Sequence, residues 1–302
     1  MTEQGRRKRS KAKRWWRGVA LSLLVLSGGL ATWAFGIEPG LLTVRTVEVV
    51  SPLWPGGRPP LRIAVIGDLH SGAPHTGLDK INEVVDRINA LKPDLILLLG
   101  DYVIHGVVWG RFVSPERTAD RLKRLRARHG VFAVLGNHDW WLDGPRVEKA
   151  LTQAGIPVLE NQALPVDLPS GRVWLAGIAD DTTRDPQPAR TLARLPSGEP
   201  VIVFTHDPAI FPDVPARAVL TLASHTHGGQ VFLPWVGALI SPGRAPLRHA
   251  YGLIRELGKT MYVTSGIGTS ILPIRFNMPP EIALIRLTSK PETGPGKASR
   301  RE

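Results

Sequence analysis

Five short segments hold five of the nine histidines together with aspartates and an asparagine, side chains able to bind a cation or move a proton. They are Gly67-Asp68-Leu69-His70, Gly100-Asp101, Gly136-Asn137-His138-Asp139, Thr205-His206-Asp207 and Ser224-His225-Thr226-His227-Gly228-Gly229. Cysteine is absent, so thiolate zinc sites, iron–sulfur clusters, disulfides and a cysteine nucleophile are all excluded. The remaining donors are carboxylate, amide and imidazole, a set that suits manganese, iron or zinc better than a soft metal. In Asp-x-His and His-x-His, alternate side chains of an extended backbone fall on one side, so each pair can aim at a common centre. Asp68, His70, Asp101, Asn137, His206, His225 and His227 are enough for two divalent cations, with a carboxylate able to bridge them and an amide oxygen able to complete a shell. Two such ions ~3.5 to 4 Å apart clamp a phosphoryl oxygen and lower the pKa of a bridging water. The chemistry implied is phosphoester hydrolysis by hydroxide.

A histidine in a loop is, taken singly, more often capped or solvated than a ligand. The elements around these segments argue for convergence. Each cluster directly follows a short apolar run: Leu61–Ile66, Leu95–Leu99, Val131–Leu135, Val201–Phe204 and Ala218–Leu222. Such runs read as buried strands, and α/β folds gather ligands at the carboxyl ends of their strands. Helical spacing of Leu78, Ile81, Val84, Val85 and Ile88 predicts a helix between the first two strands. Ser114-Pro115 starts a second helix that is expected to run to Gly130, and Pro145 starts a third that ends at Gly155. Arg172–Ile178, Met261–Thr264 and Glu281–Leu287 read as further strands without long helices between them, so the second half is expected to form a second sheet facing the first.

The net charge of +12 over 302 residues is concentrated at the ends. Residues 1–17 carry +7 and the last fourteen +2, which leaves about +3 for the middle and calls for no nucleic-acid groove. Gly18–Ile37 is free of charge and long enough to span the ~30 Å hydrocarbon core of a bilayer, with Trp15 and Trp16 before it and Trp33 near its end where an aromatic belt would put them. The expected organisation is a basic cytoplasmic segment (1–17), a single-pass anchor (18–37), a catalytic domain (38–288) outside the cytoplasm, and a polar, disordered tail (289–302). Thr32-Trp33-Ala34 also permits a cleaved signal segment, although the apolar run exceeds the ~7 to 15 residues usual for one.

In order and spacing, the five clusters resemble the signature blocks of the calcineurin-like metallophosphoesterases. His225-Thr-His-Gly-Gly-Gln230, Trp140-Trp141, Tyr262-Val-Thr-Ser-Gly-Ile-Gly268, Pro273-Ile-Arg-Phe276 and Pro279-Pro-Glu-Ile282 resemble in addition the bacterial branch of phosphodiesterases with one N-terminal membrane segment. The resemblance implies an α/β fold of two packed mixed β-sheets flanked by helices. It also implies that Asp68, His70 and His227 hold one metal, Asn137, His206 and His225 the other, and that Asp101 bridges them. His138 would then stand free of metal beside the scissile phosphate, with Asp139 fixing its tautomer. Phosphodiester hydrolysis is the activity implied. The alternatives are a pyrophosphatase acting on a nucleotide-linked lipid of the UDP-diacylglucosamine type, or a catalytically silent envelope-binding module. A phosphoester substrate of lipid or cell-envelope origin and the membrane itself are the partners implied.

One departure is Ser224, where the family usually has glycine; if that position needs a positive φ, serine there costs about 1 kcal/mol. Asp180 and Asp181 read as turn residues or as extra ligands, Arg275 as a phosphate contact or a structural arginine, and Trp140 and Trp141 as core or cleft wall. His75, His105, His129 and His249 lack any partner pattern and read as structural or solvated.

Overall fold

The computed structural model describes residues 3–289. A first sheet is built from β1 (Thr43–Val50), β2 (Leu61–Ile66), β3 (Leu95–Leu98), β4 (Val131–Ala133) and β13 (Glu281–Thr288), in the order β1-β13-β2-β3-β4. All its neighbours are parallel except β13 and β2. A second sheet takes β5 (Gln162–Leu168), β6 (Gly171–Gly177), β7 (Val201–Phe204), β8 (Ala218–Ala223), β11 (Gly252–Glu256) and β12 (Lys259–Val263), in the order β11-β12-β8-β7-β6-β5. Its two outer pairs are antiparallel and its centre is parallel. The short hairpin β9 (Phe232–Leu233) and β10 (Gly237–Ala238) stands apart.

The pleat assigns the faces. In β2, Ile63 and Val65 join Leu95 and Leu97 of β3 in a core shared with Leu175, Ile202, Phe204 and Leu222 of the second sheet. The alternate residues Ala64, Ile66, Ile96 and Leu98 pack under α2 (Leu78–Leu91), α3 (Pro115–Leu122) and α4 (Asn137–Gln153). Val201 and Val203 turn outward to meet Leu192 of α5 (Pro188–Ala193) and Ile210. The result is four layers, with helices outside two mixed sheets, as expected from the sequence.

Two helices depart from their expected bounds. The helix from Pro115 ends at Leu122 instead of Gly130, because Asn89 intercepts the following backbone: its amide donates to the Arg124 carbonyl at 2.9 Å and its oxygen accepts from Arg126 N at 2.8 Å. The helix through Pro145 starts earlier, at Asn137, and breaks at Asp143 (φ −178°, ψ 84°), whose carboxylate caps Arg146 N. A separate first turn thereby carries Asn137, His138 and Asp139.

The N-terminal helix α1 (Glu3–Ala31) runs without a break from the basic stretch into the apolar run. Lys13–Gly40 is long and apolar enough to cross a membrane, and Leu21, Leu24 and Val25 lie exposed along it. Its end is fastened to the sheets: Arg275 N donates to the Ala34 carbonyl at 2.9 Å, and Met278 N to Glu38 Oε1 at 2.5 Å. Apart from Ser289, the expected tail lies outside the described residues.

Arg275 takes its structural reading. It is fully buried and donates to the carbonyls of Met278, Ser265, Gly266 and Gly268 at 2.5–3.2 Å. Burial lowers it to about 10, and Asp68, Glu281 and Glu38 counter that effect, so it stays charged. Arg275→Met is expected to cost about 3–5 kcal/mol, since four carbonyls and the nearby carboxylates lose their partner. Arg275→Lys should recover little of this, because an ammonium lacks the planar fork. Urea unfolding of the full chain checks both; a loss below about 0.5 kcal/mol, the surface-substitution range, contradicts the assignment.

Candidate metal centre

Every sequence-derived ligand candidate lies just beyond the carboxyl end of a strand. Asp68 and His70 follow β2, Asp101 follows β3, Asn137 follows β4, His206 follows β7, and His225 and His227 follow β8. Hydrogen bonds hold the loops together: Asp68 N donates to Gly100 O within the first sheet, and across the two sheets His225 N donates to Asp68 Oδ1 at 3.1 Å and His206 Nδ1 lies 2.7 Å from Leu99 O. Asp68, His70, Asp101, His225 and His227 adopt positive φ, between 41° and 70°. Left-handed backbone at non-glycine residues costs ~1–3 kcal/mol each and persists where surrounding structure over-determines it, as at sites that must present side chains in one direction.

Ser224 is not among the positive-φ residues, so the cost expected there does not arise; its hydroxyl donates to Leu99 O at 3.1 Å instead. The strained position is His225. Two glycines make room for the carboxylates. A Cβ at Gly136 would lie 2.3 Å from Asp101 Oδ1, and one at Gly266 would lie 2.5 Å from Asp68 Oδ2.

The ligand atoms converge in three overlapping groups: Asp68, His70 and His227; His70, Asp101 and His138; Asp101, His206 and His225. His70 Nε2 is 3.0 Å from His227 Nε2 and 3.5 Å from Asp101 Oδ2. His206 Nε2 is 3.3 Å from that same oxygen, 3.1 Å from Asn137 Oδ1 and 3.1 Å from His225 Nδ1. Asp101 Oδ2 thus stands between two imidazole clusters. Buried Asp68 Oδ2 and His227 Nδ1 have no hydrogen-bond partner.

This donor set fits divalent cations. Burial pushes His70 and His225 down to about 3 and lowers His227, so these imidazoles are neutral and offer lone pairs at neutral pH. His206 behaves differently: burial opposes its charge, but Asp101 and Asp68 raise it above its ordinary value. A cation between these groups would take over the charge compensation that a proton on His206 otherwise provides.

His138 is buried, its N–H donates to Asp101 Oδ1 at 2.9 Å, and its ring packs on His70 and Trp141 at 4.6 and 4.9 Å between centroids. Asp139 does not reach it. Both Asp139 oxygens are taken by backbone amides: Oδ2 accepts from Asp101 N at 2.8 Å and Gly136 N at 2.9 Å, Oδ1 from Tyr102 N at 2.8 Å. The expected tautomer-fixing role is therefore corrected. On the first helical turn, the third residue points back at the loop before the helix, and Asp139 holds the backbone of the Asp101 loop.

The cleft above these groups has a volume of about 350 Å³. His105, Trp141 and Thr182 join its wall. From the sequence His105 reads as structural or solvated; its place in the loop after β3 is the signal that points to the cleft. Trp141 is half-exposed cleft wall, while Trp140 lies under the Arg184 guanidinium at 4.2 Å. Asp180 caps Thr183, and Asp181 pairs with Arg244, so both act as turn residues. Asp207 Oδ2 lies 3.7 Å from His225 Nε2, close to that ring but beyond hydrogen-bond distance. Of the remaining histidines, His249 is buried against Glu256 and His75 lies 2.9 Å from Phe35 O.

A model of the family described as calcineurin-like phosphoesterase matches residues 61–238. The chain is 30% identical over 274 residues to an uncharacterized metallophosphoesterase, YkuE, of Bacillus subtilis, which covers 90% of this chain and 94% of that protein. It is 32% identical over 236 residues to the phosphodiesterase YaeI of Escherichia coli, 76% of this chain and 82% of that one. It is 25% identical over 337 residues to the UDP-2,3-diacylglucosamine pyrophosphatase LpxG of Chlamydia trachomatis, 91% and 98% respectively.

Proposed function

The chain belongs to the calcineurin-like phosphoesterase family, and from that premise we propose that it is a phosphodiesterase working with two divalent cations, manganese, iron or zinc. The observation that carries the reading is Asp101 Oδ2, within 3.5 Å of His70 Nε2 and 3.3 Å of His206 Nε2, which a bridging carboxylate requires. Asp68, His70 and His227 would hold one cation with it, Asn137, His206 and His225 the other. Bound there, the cations would polarise the phosphoryl oxygens and supply hydroxide at neutral pH. His138, with its ring beside His70 and its Nδ1 unpartnered, stabilises the phosphoryl charge or protonates the leaving oxygen. Asp139 positions Asp101.

The apolar helix anchors the enzyme in the cell membrane by one span. Its basic start keeps the N-terminus cytoplasmic and the catalytic domain on the other side. A pyrophosphatase acting on a nucleotide-linked lipid is the second reading, favoured by the extent of the similarity to LpxG.

The test is hydrolysis of bis-p-nitrophenyl phosphate beside p-nitrophenyl phosphate by the full chain in detergent, stripped of metal and refilled with Mn²⁺, Zn²⁺ or Mg²⁺. Metal-dependent release from the diester is expected, with the monoester slower. A protein that binds no metal at all overturns the reading. One that binds metal but cleaves only a UDP-linked lipid replaces it with the second.

A further inference from the structure

A second cavity, of about 390 Å³, adjoins the metal cleft, and His227, Pro242, Ser270 and Ile271 line both. Its other walls are mainly aliphatic, with Leu239, Ile240, Leu272 and Ile274 beside the polar but uncharged Thr226 and Gln230, and none of its lining residues is Lys, Arg, Asp or Glu. The surface therefore changes from imidazole to hydrocarbon on either side of His227. Ile240 is 72% exposed and Ile271 69%, so the aliphatic wall is open to solvent. Exposed apolar surface gathered round a cavity in this way marks a binding site. An uncharged aliphatic wall offers nothing to a nucleotide or a polyanion. It suits a chain of methylenes.

The position of the cavity points to where that chain comes from. Ile274 precedes Arg275, whose N–H holds the Ala34 carbonyl at the end of the N-terminal apolar helix. The segment that walls the cavity is thus the one that clips the helix to the domain, and the buried Arg275 guanidinium fixes it to the loop at Ser265–Gly268.

We infer that this cavity takes the acyl chain of a phosphate-bearing lipid drawn from the leaflet beside the anchor, with the lipid phosphate in the metal cleft. The inference rests on the phosphoesterase reading for the head group, while the chain site stands on its own walls. The test uses the Mn²⁺-loaded full chain in phosphatidylcholine nanodiscs, with methyl, butyl and octyl phosphate titrated calorimetrically and empty nanodiscs subtracted. Affinity is expected to rise ~4-fold for each methylene buried, the equivalent of ~0.8 kcal/mol. Ile240→Asp should flatten that rise. Ile271→Ser, at a second exposed position, should reduce it without adding charge. An affinity independent of chain length, or one that rises equally in native protein and both variants, overturns the proposal. Failure of methyl phosphate to bind while the octyl ester binds with the variant-sensitive slope would sink the phosphoesterase reading and leave the chain site standing. Turnover of bis-p-nitrophenyl phosphate reports on the first independently of the second.

Discussion

Asp101→Asn is expected to lower kcat/KM for the diester by at least ~10²-fold and to reduce bound metal below two ions per chain. Replacing groups that merely orient metal ligands already costs ~10–100-fold, and Asp101 is the residue proposed as a ligand to both cations. Asparagine keeps the shape and the Oδ1 that accepts from His138 N at 2.9 Å, so the first turn of α4 stays where it is. What goes is the negative charge between His70 and His206. Without it, His206 loses the nearest group that raises it, and two cations at close range lose the anion that screens their repulsion. Elemental analysis after gel filtration counts the metal, and the diester assay gives the rate. Two retained ions with kcat/KM within a factor of ten of native would show that Asp101 does not bridge them.

How much of this was legible in the chain depends on the range of the interaction. The buried central strands announced themselves as short runs that are apolar apart from Arg62 and Thr221, and each run led into its candidate ligands, so the convergence of the seven-residue set followed from local pattern plus the strand-end rule. β1 and β5 were missed because each lies at the edge of its sheet and exposes polar residues, Arg45, Glu48 and Asp167 among them, which blur the period. The closeness of Asp207 to the His225 ring and the part of Thr182 in the cleft wall had no local signature, since both come from loops of different strands meeting. The aliphatic cavity joins residues 226–231, 239–242 and 270–274 and has no contiguous trace at all. Ser224 shows the reverse error: the motif drew attention to an absent glycine, whereas the strained backbone lies one residue later, at His225 (φ 70°).

Asp139 is the second large effect, and it separates the two roles a carboxylate after Asn-His can have. Its oxygens accept from Asp101 N, Tyr102 N and Gly136 N, all at 2.9 Å or less, and Asp101 itself is held at φ 56°. Asp139→Ala leaves three buried N–H groups without acceptors, at about 1–3 kcal/mol each, so unfolding free energy should fall by more than about 3 kcal/mol. The released loop should also let Asp101 drift, and a displacement near 1 Å at a reacting centre costs ~10²-fold. Asp139→Asn retains one acceptor oxygen but sets its NH₂ against the remaining amide donors, so it should rescue stability only in part. If Asp139 served His138, its effect on kcat would vanish in a His138→Ala background. Because it serves the Asp101 backbone instead, most of its effect on kcat/KM and on unfolding free energy should persist in that background, although neighbours that share Asp101 need not be strictly additive. An Asp139→Ala effect on kcat that disappears once His138 is gone would return Asp139 to the histidine.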